Sequence, residues 1–269
     1  MSGMDPSAVP GPTVVDRRRL VFGVLPAAAL LAAGCGRSND DRSDGGRSAR
    51  PPLALVYNGP QGCPACPETV AALLRGAPRP YRVEYVGGET PLTAAALADA
   101  RLYVQPGGGA DLKGTWRHLE GSAGAIRNWV REGGGFLGLC FGAYLAGRNP
   151  GFDLLPGDTN GYIDSPGATV TDGRDTVVPV NWQGRPRHMY FQDGPAFFLD
   201  PGADATVLAT YPNKTAAVVV APYGKGRVGV SGPHPEADAS WYADKDLSNP
   251  DGVHFDLAYE LIEATAGRR

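Results

Sequence analysis

Between residues 53 and 147 short apolar runs alternate with segments of helical spacing, and few folds accept that order. Leu53-Ala54-Leu55-Val56-Tyr57 is apolar throughout and ends in Asn58-Gly59-Pro60, a strand followed by a turn. Residues 68–75 carry Val70, Leu73 and Leu74 on one helical face. Residues 81–86 read as a second strand, 93–100 as a second helix, and 102–104 as a third strand running into Pro106-Gly107-Gly108-Gly109. Residues 122–132 place Ile126, Trp129 and Val130 on one helical face, 136–139 form a fourth strand, and a helix covers 141–147. Strands that are apolar on both sides need cover on both sides. The order therefore predicts the α/β class, a parallel sheet with helices on both faces and ligands at the carboxyl ends of the strands. After Pro150 the helical spacing fades. Residues 169–171, 176–182, 188–192 and 206–210 read as extended, 216–220 and 227–230 as a hairpin around Pro222-Tyr223-Gly224-Lys225-Gly226, and 253–264 as a closing helix. Residues 52–269 show no internal break and read as one domain.

The first fifth of the chain has a different character. Asp16-Arg17-Arg18-Arg19 precedes an uncharged run over residues 20–33, too short to span a bilayer comfortably and typical of an export signal. The paired arginines followed by Leu20 and Val21 point to the twin-arginine route. The run ends in Leu31-Ala32-Ala33-Gly34-Cys35, which resembles a bacterial lipobox with Cys35 as the lipidated residue; an ordinary signal peptide is the alternative. Residues 35–51 hold Gly, Ser and charges of both signs and almost nothing to bury, so they read as a flexible tether. The expected address is the outer face of a bacterial cell membrane, with lipid on Cys35 as the contact. Removing residues 1–34 leaves 22 basic against 26 acidic residues, a charge of −4, and no basic cluster beside the anchor. That charge excludes nucleic-acid binding by bulk attraction, and the 42% apolar content excludes a disordered chain.

The feature richest in chemistry is Gly138-Leu139-Cys140-Phe141-Gly142, a Gly-x-Cys-x-Gly between a buried strand and a helix. Such a corner lifts its nucleophile above the sheet. The helix start behind it favours thiolate, and the Phe141 N–H can face a developing oxyanion. A structural cysteine between packing glycines is the alternative. Pro233-His234-Pro235-Glu236 follows a late strand and so falls at the same end of the sheet. His234 can take the proton of Cys140 and Glu236 can orient His234, a Cys-His-Glu site. Gly108, in the turn after the third strand, offers a second oxyanion N–H. That turn is not a phosphate loop, because no Gly-Lys-Ser/Thr follows, and no cofactor is expected.

Gly138-Leu139-Cys140-Phe141-Gly142, Pro233-His234-Pro235-Glu236 and the Pro106-Gly107-Gly108 turn together resemble class I glutamine amidotransferase-like proteins. Val56-Tyr57-Asn58-Gly59-Pro60 and Gly142-Ala143-Tyr144 narrow the resemblance to the N-terminal domain of biotin–protein ligases, of which free-standing bacterial relatives exist. The resemblance implies a flavodoxin-like sheet with added β-hairpins and the triad Cys140, His234 and Glu236. It also carries a departure. Glutamine-hydrolysing members place Gln where Tyr144 stands, and no ligase catalytic domain is expected within residues 52–269. The resemblance therefore supports the triad better than a glutamine substrate.

Three functions follow as expectations. The first is thiol-dependent hydrolysis or acyl transfer on a small amide or ester. The second is a non-catalytic ligand- or partner-binding lipoprotein that keeps the fold, which Tyr144 favours; no protein partner is indicated. The third and weaker is thiol-redox chemistry at Cys63-Pro64-Ala65-Cys66; in an exported chain the preferred reading of that motif is a local Cys63–Cys66 disulfide, with redox activity or a mixed disulfide with Cys140 as the alternatives. A metal is not expected, because the pair lacks a second Cys pair or a nearby His pair. Tyr144 and Asp193 are candidate pocket residues. Trp241 and Tyr242 either wall the site or cap the core, and His118, His188 and His254 show no partner. If Cys35 carries lipid, mass spectrometry of the membrane-extracted protein will find a diacylglyceryl thioether on an N-terminal Cys35, and Cys35→Ser will move the protein out of the membrane fraction.

Overall fold

The computed structural model describes residues 50–109 and 111–267; the expected export signal, Cys35, the expected tether up to residue 49 and Ala110 lie outside the described residues. Strands β1 (Leu53–Tyr57), β2 (Arg82–Val86), β3 (Ala100–Gln105) and β4 (Gly135–Leu139) alternate with helices α1 (Cys66–Arg75), α2 (Ala94–Leu97), α3 (Leu112–Arg131) and α4 (Phe141–Tyr144). Seven further strands follow: β5 (Gly157–Gly161), β6 (Thr176–Trp182), β7 (Arg185–Phe191), β8 (Pro195–Leu199), β9 (Thr206–Thr210), β10 (Ala216–Tyr223) and β11 (Gly226–Ser231). Helices α5 (Ala239–Ala243) and α6 (Asp256–Ala266) close the chain.

The sheet runs β2-β1-β3-β4-β11-β10-β9-β6-β7. Its first five members pair in parallel, which is the flavodoxin-like order with β11 as the fifth strand. The β10–β11 hairpin turns at Gly224 and delivers β11 against β4, while β9, β6 and β7 extend the sheet by antiparallel pairing. β8 pairs with β5 and touches β10.

The period of two along each strand divides the core. Ala54, Val56, Leu102, Val104, Leu137 and Leu139 face α1 and α6, where Val70, Leu74, Leu257 and Leu261 meet them. Leu53, Leu55, Tyr103, Phe136, Val228 and Val230 face the other way, onto Leu97 of α2 and Leu119, Ile126 and Val130 of α3. Both layers are closed, so the inner strands β1 and β4 are buried and apolar throughout, as the sequence predicts.

Several elements differ from the sequence expectation. Helix α3 begins at Leu112, ten residues before the expected 122, because Asp111 caps it by accepting from the Gly114 N–H at 2.8 Å. Gly114, Gly121 and Gly124 lower its helical propensity, and the burial of Thr115, Leu119 and Ala123 overrides them. Residues 169–171 form no strand; the Thr169 N–H donates to the Tyr162 hydroxyl at 3.0 Å instead of to a neighbouring strand. Strand β5, Gly-Asp-Thr-Asn-Gly, has no apolar alternation and is held by its pairing with β8. No helix among the described residues is long and apolar enough to cross a membrane.

Phe136 sits at the centre of the α3 layer, fully buried, with ring centroids 5.5 Å from Phe152 and 5.7 Å from Tyr103. Phe136→Ala is expected to lower stability by about 3–5 kcal/mol, read as a lower urea midpoint with an unchanged slope.

Candidate active site

The carboxyl ends of β4 and β11 lie side by side, with Leu139 in register with Ser231. The next residue, Cys140, has φ 47° and ψ −108°, a backbone conformation that side chains larger than glycine rarely adopt. The surrounding bonds enforce it. The Cys140 N–H donates to the Ser231 carbonyl at 2.8 Å, and its own carbonyl accepts from Ala143 at 2.9 Å and Tyr144 at 3.2 Å. A Cβ at position 142 would run into the Gln105 carbonyl, so only glycine lets α4 approach the end of β3. This is the tight strand-turn-helix corner expected of a nucleophile elbow.

The polypeptide beyond β11 bends back at Gly232-Pro233, and the His234 N–H donates to the Tyr190 carbonyl at 2.8 Å. That bond ties the turn to β7 and leaves the ring facing Cys140. His234 Nδ1 lies 2.8 Å from Glu236 Oε1, and Glu236 is wholly buried. The carboxylate sets the tautomer of the ring: with Nδ1–H held by Glu236, Nε2 is the nitrogen free to accept a proton. Burial by itself pulls the His234 pKa down. The negative charges of Cys140 and Glu236, with their hydrogen bonds to the ring, outweigh burial and hold the pKa well above the usual histidine value. As a thiol, Cys140 donates from Sγ to the Gln192 carbonyl at 3.3 Å.

These groups open on one cleft of about 280 Å³, a size suited to a small molecule. Gly107 and Gly108 form one wall, the linked Cys63 and Cys66 a second, and Trp241 a third. Among the described residues, no backbone carbonyl of a turn or loop accepts from the Phe141 or Gly108 N–H. A Cβ on Gly108 would collide with the Phe141 ring, so only glycine lets this turn pack against the residue that follows Cys140.

The sequence candidates divide here. Cys140, His234 and Gly108 line the cleft, Glu236 stands behind His234, and Phe141 follows Cys140 at the corner. Tyr144 and Asp193 meet each other rather than the cleft, because the Tyr144 hydroxyl donates to the Asp193 carbonyl at 3.1 Å. Burial raises both the Tyr144 phenol and the Asp193 carboxyl. Of the aromatic pair, Trp241 walls the site with its ring 5.1 Å from His234, while Tyr242 is buried and accepts from the Tyr190 N–H. His188, expected to be without a partner, has Asp251 Oδ2 at 3.2 Å from Nδ1.

Sequence reasoning missed Asp175, Tyr190, Gln192, Asp244 and Lys245, all of which line the cleft. Burial disfavours the charge on Asp175, but hydrogen bonds from the Tyr190 hydroxyl and Lys245 hold its carboxyl below the usual range. Only the folding of β6 and β7 beside α5 assembles that group; no spacing in the sequence marks it.

The fold is the class I glutamine amidotransferase-like one. A crystal structure of a glutamine amidotransferase aligns with a TM-score of 0.51 at 18% identity, over 68% of this chain and 90% of that one. A glutamine amidotransferase from Thermotoga maritima aligns with a TM-score of 0.51 at 15% identity, over 80% of this chain and 96% of that one. Residues 53–160 match the family described as biotin-protein ligase, N terminal. The biotin–protein ligase of Schizosaccharomyces pombe is 30% identical over 212 residues, 69% of this chain, and this chain spans 33% of that protein's length. Residues 53–160 are thus similar to the biotin–protein ligase N-terminal family.

Because His234 is raised in the fold, its protonated pairing contributes stability that is complete below the ordinary histidine pKa of about 6.5 and is lost as pH rises through the higher folded value. Glu236→Gln is expected to lower the His234 pKa, followed by the NMR shift of its Cε1 proton. It is also expected to flatten the alkaline fall in unfolding midpoint seen in the wild type.

Proposed function

We propose that the protein is a thiol hydrolase or acyl-transfer enzyme acting on a small amide or ester, held at the outer face of the cell membrane through lipid on Cys35. The observation that carries the catalytic part is the strained Cys140 corner set against a buried His234 that Glu236 holds by Nδ1. A cysteine needing no chemistry has no use for a corner of that shape or for an oriented imidazole beside it. The anchor rests on the sequence around Cys35 alone.

In the proposed reaction His234 Nε2 takes the Cys140 proton, and Sγ attacks the substrate carbonyl. The carbonyl oxygen becomes an oxyanion that accepts from the Phe141 and Gly108 N–H groups. Protonated His234 then gives its proton to the departing amine or alcohol, leaving an acyl thioester on Cys140. Water, deprotonated by His234, or an acceptor nucleophile releases the acyl group and restores the thiol. The Cys63–Cys66 and Trp241 walls favour a substrate with an apolar flank, and Asp175, Asp244 and Lys245 supply polar contacts at the outer end.

Alkylation of Cys140 by iodoacetamide as a function of pH tests the reading. The wild type is expected to be alkylated at Cys140 at least about tenfold faster than His234→Ala at neutral pH, since the ring takes up the thiol proton. Cys140→Ala is expected to abolish release of nitrophenol from nitrophenyl acetate. A Cys140 that is inert and indifferent to His234→Ala would leave a binding protein with a relict site.

A further inference from the structure

The Cys63–Cys66 disulfide stands on the cleft wall, outside the catalytic steps above, and its surroundings give it a job. Cys66 is the first residue of α1, whose N-cap, Ala65, provides no side-chain bond. The loop before it is stitched to the glycine turn after β3 in a short antiparallel bridge between Gly62 and Gly108. Two hydrogen bonds make that bridge: the Gly109 N–H donates to the Gln61 carbonyl at 2.9 Å, and the Cys63 N–H to the Gly107 carbonyl at 3.5 Å. Gly107 itself is crowded. A Cβ there would lie 3.1 Å from Cys66 Sγ and 3.4 Å from His234 Cε1. The glycine turn thus packs against the disulfide and the imidazole at Gly107 and against the Phe141 ring at Gly108, with the Cys63–Cys66 loop as its brace.

Glycine-rich turns have large conformational freedom, and Gly107, Gly108 and Gly109 are consecutive. An oxyanion donor works only if it is already in place when charge develops. Nothing in the glycine side chains can fix the turn, so the fixing must come from its neighbours. We propose that the Cys63–Cys66 disulfide is the positioning brace of the oxyanion turn, and that opening it with a dithiol reductant switches off acyl transfer while leaving the Cys140 nucleophile intact. This rests on the acyl-transfer reading for its catalytic consequence, not for the brace itself. In the opening step one thiolate of the dithiol attacks a sulfur of the pair and forms a mixed disulfide. Its second thiolate then closes the reductant's own disulfide, and Cys63 and Cys66 are left as two thiols. Two electrons pass from the dithiol to the pair. The loop then loses its short covalent ring, and the bridge to Gly107 and Gly109 must survive on two hydrogen bonds alone.

The test compares three forms of the full chain: oxidised wild type, wild type reduced with dithiothreitol and freed of reductant under argon, and Cys63→Ser/Cys66→Ser. Amide hydrogen exchange is read at Cys63 and Gly109, nitrophenyl acetate turnover at steady state, and iodoacetamide alkylation at Cys140. Opening the disulfide is expected to speed exchange of the Gly109 N–H at least about tenfold and to lower kcat by about tenfold or more, toward the loss seen on removing one oxyanion donor. Alkylation of Cys140 has no oxyanion, and its rate is expected to stay within about twofold. A merely structural disulfide would move turnover and alkylation together, and that result overturns the proposal. So does Gly109 exchange that is unchanged in both the reduced and the double-serine forms, or faster exchange with kcat unaltered. If the oxidised wild type turns over no ester yet Gly109 exchange rises on opening, the brace stands and the acyl-transfer reading falls.

Discussion

The parallel pairing of β4 with β11 is the constraint on which the rest of the molecule depends. It places Leu139 beside Ser231 and lets the Cys140 N–H close onto the Ser231 carbonyl. One hydrogen bond thereby joins the end of the βα half of the chain to the end of the late hairpin. The elbow gains its positive φ from that closure, and His234 arrives at the same edge because only two residues separate it from β11. Without β11 in the sheet, β4 would be an edge strand and Cys140 would have no facing base.

A second consequence is electrostatic. Cys140, His234 and Glu236 are buried among apolar groups, where an unpaired charge is costly, so each member makes sense only with the others present. Glu236 spends one oxygen on His234, while its Oε2 has no partner among the described residues. A buried carboxylate kept with one oxygen unsatisfied is poor construction for stability alone and reasonable construction for holding a ring in one tautomer. The Tyr190-Asp175-Lys245 chain at the mouth works differently, with its charges paired and near solvent.

Much of the fold was legible because the period of the sequence matched the period of the elements. The apolar runs at 53–57, 102–104 and 136–139 became β1, β3 and β4, and the Val70, Leu73 and Leu74 spacing marked α1. Legibility failed where a tertiary partner replaced local propensity. Helix α3 carries three glycines and is held by burial, β5 is polar and held by β8, and α5 rests on the Asp238 cap over one short stretch. In the site, Cys140, His234 and Glu236 could be chosen by residue type and position after strands. Gln192 acts through its backbone carbonyl, which no side-chain pattern reveals, and Tyr144 and Asp193 turned to each other because the β7–β8 turn lay within reach of the phenol.

By itself the sequence determined the alternation of strands and helices, the glycine-flanked cysteine and the late His-Pro-Glu. These are local facts, written in spacing and residue type. The tertiary structure alone decided that 2-1-3-4-11 is the parallel order, that Cys63 and Cys66 are joined on the wall of the cleft, and that the Gly62–Gly108 bridge ties that wall to the glycine turn beside His234. The physical reason is distance along the chain. Hydrogen bonds between residues tens of positions apart depend on which strands become neighbours, and burial of both faces of the whole sheet selects those neighbours, not any one segment.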